Sequence, residues 1–81
     1  MSARFERRAV RDLRKLGTSD QRTIVAAIMA YANGTTSSDV KKLQGRSPPE
    51  YRLRVGRFRV IFANEDATIV VLRVADRKDA Y

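Results

Sequence analysis

An α+β fold, with an N-terminal helical hairpin packed on a small twisted, mainly antiparallel β-sheet, is what these 81 residues predict. Three observations carry it. Apolar residues recur at helical spacing between residues 9 and 31, the pattern switches to strict alternation from Glu50, and turn residues punctuate the change. A chain of this length forms one domain, residues 1–81, and buries roughly 60–65% of the surface its unfolded state exposes.

The elements follow in order. Residues 2–6, SARFE, are a short, weak first strand in which only Ala3 and Phe5 look inward. Ala9, Val10, Leu13 and Leu16 then mark a helix from Arg7 to Leu16, ended by Gly17. Thr18 is a hydroxyl N-cap, and Gln21 three residues later completes a capping box. The second helix runs to about Ala32 with Ile24, Ile28 and Tyr31 on one stripe, and Asn33-Gly34 stops it. A two-residue turn between these helices makes an αα-hairpin. A polar connection containing a short KKL element ends in Pro48-Pro49, which cannot donate ladder hydrogen bonds, so strand pairing begins after them. Tyr51, Leu53 and Val55 alternate with Arg52 and Arg54; Gly56-Arg57 turns; Phe58, Val60 and Phe62 alternate with Arg59 and Ile61. Asn64-Glu65-Asp66 turns again. ATIVVLRV follows, apolar at nearly every position, and is expected to lie centrally, covered on both faces. The sheet thus has three strong strands and one weak one.

Composition narrows function. Without cysteine or histidine the chain has no disulfide, no thiol nucleophile and no imidazole, which excludes a Ser–His–Asp triad or an ordinary zinc site; no metal and no cofactor are expected. No apolar run approaches the ~20 residues a bilayer requires, so a cytoplasmic location and no membrane are expected. Seventeen basic against nine acidic residues give a net charge of +8, a balance that favours nucleic acid, an anionic membrane surface or an acidic protein. Strand alternation gathers Arg52, Arg54 and Arg59 on the face opposite the apolar residues, with only Glu50 nearby to neutralise them. Like charges on a rigid face cost stability, and the planar guanidinium fork suits phosphate oxygens. Arg73 and Arg77 extend the patch if the last strand lies beside residues 57–62.

YRLRVGRFRVIF, followed by IVVLRVADRKDAY and preceded by FERRAVRDLRKL and the helical pair, resembles the RelE/ParE superfamily of bacterial type II toxin–antitoxin toxins over nearly the whole chain. The resemblance implies a RelE-like microbial ribonuclease-type fold and a ribosome-dependent mRNA endonuclease. Such an enzyme cuts in the A site through attack of a ribose 2′-hydroxyl on the adjacent phosphate. The alternative it implies is a ParE-like toxin that poisons DNA gyrase without nuclease activity. Carried over by position, Arg52, Arg54, Arg59, Arg77 and Tyr81 are the catalytic set, and Arg57, Arg73 and Lys78 are nucleic-acid-binding. The implied partners are the ribosome, mRNA and a cognate antitoxin whose extended C-terminal segment wraps the toxin as a hetero-oligomer. Asp76 stands where many relatives carry histidine, and Arg52 where some carry lysine. Arginine does not deprotonate at neutral pH, so catalysis would rest on positioning and electrostatics, with Tyr81 or ribosomal RNA completing proton transfer.

Overall fold

A computed structural model describes residues 2–34 and 39–78. Its elements are β1 (Ser2–Phe5), α1 (Arg7–Arg14), α2 (Thr18–Ala32), β2 (Val40–Lys42), β3 (Tyr51–Val55), β4 (Phe58–Glu65) and β5 (Thr68–Asp76). The five strands form one sheet in the order β1-β5-β4-β3-β2. Only the β1–β5 pair is parallel.

The α+β class, the mainly antiparallel sheet and the short first strand match the expectation, whereas the N-terminal helical hairpin is not confirmed. Ser2–Phe5 alternates exposed and half-buried residues, and the Ser2 and Thr68 hydroxyls bond across to the neighbouring strand at 3.0 Å. The helices are also less of a hairpin than their spacing predicts. Three residues, Lys15–Gly17, separate them, and α1 packs on β5 while α2 packs on β1 and β3. Each helix therefore buries its stripe mainly against the sheet. The expected capping box is absent: Gly17 is the N-cap of α2, no side chain caps it, and Gln21 Nε2 instead donates to the Leu16 carbonyl at 2.8 Å. That bond satisfies a carbonyl that the end of α1 leaves open. The KKL element is a strand in its own right, β2, paired to β3.

The core lies between α2 and the sheet, with Ile24, Ile28 and Ala32 meeting Leu53, Val60, Phe62 and Val71. Tyr31 and Tyr51 flank Phe62 at ring-centroid distances of 5.4 and 5.5 Å, so both aromatic side chains serve packing. Gly56, at φ 58, allows the two-residue β3–β4 turn. The β4–β5 turn is Asp66-Ala67, later than predicted, because Asn64 and Glu65 still pair with Ile69 and Thr68. β5 is second from the sheet edge: β1 pairs with only its first four residues, and α1 lies along it.

A register shift separates the Ile61–Arg73 pair from the Phe62–Val71 pair and leaves Leu72 as an extra residue in β5. A regular strand would point Val71 and Val74 to opposite faces. The bulge lets both enter the same core and places Arg73 beside Ile61 on the other face.

Candidate functional site

The face of the sheet turned away from α2 holds two cross-strand rows. Arg54, Arg59 and Ala75 occupy consecutive positions of one; Lys41, Arg52, Ile61 and Arg73 occupy the other. Directly opposed like charges destabilise a ladder by about 0.2–1 kcal/mol, so the Arg54–Arg59 pair is a local cost of the fold. Ala75 leaves space beside Arg59. At the open end of the first row the chain leaves β5, and the Arg77 amide donates to the Arg57 carbonyl at 2.7 Å. This main-chain bond draws the end of β5 to the β3–β4 turn. The result is a small pocket lined by Arg54, Gly56, Arg57, Phe58, Arg59 and Arg77.

The arginines divide into two kinds. Arg73 is held by Asp12 of α1, Nε to Oδ2 at 2.9 Å and Nη2 to Oδ1 at 3.3 Å. Arg57 Nε lies 3.1 Å from Asp76 Oδ2, and its Nη2 lies 3.8 Å from Asp20 Oδ2. By contrast, Arg52, Arg54, Arg59 and Arg77 make no ion pair among the described residues. The Nε atoms of Arg52 and Arg59 are buried with no hydrogen-bond partner. A buried donor without an acceptor is costly.

Of the residues expected to act together, Arg54, Arg59 and Arg77 converge on one pocket, and Arg52 stands one row away on the same face. Arg73 shares Arg52's row but is engaged by a carboxylate. Lys78 is exposed and is not among the pocket residues, its amide donating to Asp76 Oδ1 at 3.2 Å. Tyr81 lies outside the described residues. Sequence reading missed Lys41, which joins the arginine face only because β2 pairs with β3. It also missed the neighbouring groove, where Arg7 and Arg8 at the start of α1 approach Arg46, Glu50, Ile61 and Leu72. Nothing in the local pattern of β2 or of the 43–50 loop signals either contact.

The Asp12 carboxyl is the acceptor that holds Arg73 and the Val74 amide. Burial raises its pKa, but the Arg73 hydrogen bond, the Val74 amide and the positive charges of Arg73 and Lys15 outweigh that and hold it below 3.8.

Several solved structures share this fold. The RelB–RelE antitoxin–toxin complex of Methanococcus jannaschii contains a chain 28% identical, with a TM-score of 0.76, the match covering 96% of this chain and 94% of that one. The RelE–RelB complex of Pyrococcus horikoshii OT3 gives 25% identity and 0.75 over 98% and 97%. The RelBE2 toxin–antitoxin complex of Mycobacterium tuberculosis gives 33% and 0.67 over 96% and 92%. No curated protein matches the chain. The family described as ParE toxin of type II toxin-antitoxin system, parDE, matches residues 3–81. With that match spanning almost every residue, the chain belongs to the RelE/ParE superfamily of type II toxin–antitoxin toxins.

Proposed function

We propose that this toxin is a ribosome-dependent endoribonuclease that cuts mRNA in the A site and so stops translation. The observation that supports it most is the convergence of Arg54, Arg59 and Arg77 on one pocket, free of internal carboxylate partners among the described residues. In the reaction a ribose 2′-oxygen attacks the adjacent phosphorus, the bond to the 5′-oxygen breaks, and a cyclic 2′,3′-phosphate and a 5′-hydroxyl result. The phosphorane passed on the way carries more negative charge than the phosphodiester, so fixed guanidinium groups stabilise it more than the ground state. Arg54, Arg59 and Arg77 surround the phosphate, and Arg52 adds charge from the next row. None of them can act as a base. Tyr31 and Tyr51 are packed around Phe62, which leaves proton transfer to Tyr81 or to ribosomal RNA.

The partner in the resting state is a cognate antitoxin. The M. jannaschii, P. horikoshii and M. tuberculosis relatives come from toxin–antitoxin complexes, and an acidic extended segment suits a toxin of net charge +8. Primer-extension mapping of mRNA after induction, with and without translating ribosomes, tests the nuclease. Cuts inside codons that require ribosomes are expected. The description of the matching family as ParE favours a second reading, a gyrase poison. Intact mRNA together with collapsed DNA supercoiling would establish that one instead.

A further inference from the structure

We infer that Arg57 is a positioning residue, braced by Asp76 and Asp20, that acts through Arg77 and does not itself hold the phosphate. Its consequence for rate rests on the ribonuclease reading; its structural consequence does not. Arg57 is one of the residues lining the pocket, and charge alone would assign it to the substrate. Its geometry assigns it elsewhere. The register places Asp76 opposite Phe58, on the α2 side of the sheet, and the Arg57 guanidinium follows it there. It lies over the Phe58 ring at 5.1 Å from the centroid and extends towards Asp20 in the first turn of α2. The fork is therefore spent on the side away from Arg54 and Arg59, while its own carbonyl accepts the Arg77 amide.

Asp76 closes the brace. One carboxylate oxygen meets Arg57 Nε, and the other accepts the Lys78 amide. Arg77 sits between these two attachments, so the same carboxylate fixes the turn that carries it from both ends. The Asp76 side chain is 12% exposed against 61% for Arg57, which makes the carboxylate the anchored member. Asp76 is thus a strut of the pocket and neither an acid nor a base in the reaction. Without the brace the β3–β4 turn is joined to the residue after β5 through the Arg57–Arg77 backbone bond, and the backbone that carries Arg77 into the pocket beside Arg59 is less firmly held. Transition-state stabilisation by prepositioned charge is sensitive to displacements of this kind.

The test combines cleavage kinetics on programmed ribosomes with amide hydrogen exchange on the free toxin. Arg57→Gln is expected to lower kcat about tenfold with KM unchanged, since misplacing a catalytic group costs rate and not ground-state binding. Arg57→Lys, which keeps a cation beside Asp76, recovers most of the loss. In an Arg77→Gln background the Arg57→Gln change adds nothing. The Arg77 amide exchanges faster in Arg57→Gln and Asp76→Asn, while the amides of Val60 and Val71 keep wild-type protection and verify the fold. A rise in KM with kcat intact, or the same factor with and without Arg77, would show Arg57 on the substrate and overturn the inference. Unchanged exchange at Arg77 would also overturn it. If the wild-type toxin cut no mRNA, the ribonuclease reading would fall, and exchange at Arg77 alone would decide the brace.

Discussion

Arg59 is the residue on which stability and function pull apart. It faces Arg54 across the ladder, it has no carboxylate partner among the described residues, and its Nε is buried without an acceptor. A side chain kept for folding would not be arranged so, because neutralising it removes both a repulsion and an unsatisfied donor. Arg59→Gln is therefore expected to leave the urea midpoint of unfolding unchanged or higher, while ribosome-dependent cleavage falls by about 10²–10³, the usual cost of one transition-state donor. A variant that lost stability and activity together would mark Arg59 as structural. The alternation that exposes these arginines is legible from YRLRV and FRV alone, since period two fixes the face of each residue. Which arginines are already paired is not, because their carboxylates come from α1, α2 and the end of β5, up to 61 positions away in the chain.

At the scale of elements, α1 does for β5 what a longer β1 would have done. β1 stops pairing at Val71, and beyond it the Asp12 side chain accepts the Val74 amide at 2.8 Å while also holding Arg73. Asp12→Ala is expected to destabilise the protein by about 2–3 kcal/mol in denaturant titration, since it removes the acceptor of the Val74 amide and a bidentate partner of the half-buried Arg73 guanidinium. The pH dependence follows in sign. The native carboxyl titrates below its ordinary 3.8, so its contribution is complete above that value and disappears as pH falls through the lower native pKa. Wild type and variant should converge in strongly acid solution. The bulge at Leu72 is the second device of this strand. Deleting Leu72 would leave Val71 and Val74 two residues apart, so a regular ladder would keep both facing the core and leave Arg73 opposite Ile61. Retention of a soluble, cooperatively folding protein is expected, measured by circular dichroism and thermal unfolding.

The whole molecule has little stability to spare. At ~0.05–0.15 kcal/mol per residue, a chain of 81 residues stands about 4–12 kcal/mol above unfolding, and one layer of side chains between α2 and the sheet forms its core. Phe62 is 1% exposed and receives both Tyr31 and Tyr51. Phe62→Ala should cost about 3–5 kcal/mol, enough to abolish a cooperative thermal transition in the isolated toxin. Binding of an antitoxin would restore the transition by mass action. Recovery on adding the partner would separate a destabilised fold from a destroyed one. The charge of +8 works against compactness in the free state, so a partner that covered the arginine face would also benefit the fold.

By itself the sequence determined the α+β class, the two helices, the β3–β4 hairpin and the arginine face. Each rests on local periodicity, turn chemistry or composition, which act over a few residues. The tertiary structure alone decided that β1 runs parallel to β5, that β2 closes the sheet, and that Leu72 is bulged. It also divided one set of arginines into unpaired groups beside a pocket and braces held by Asp12 and Asp76. Those choices depend on which distant segments meet, and side chains far apart in sequence acquire a shared electrostatic role only once the fold brings them within bonding distance.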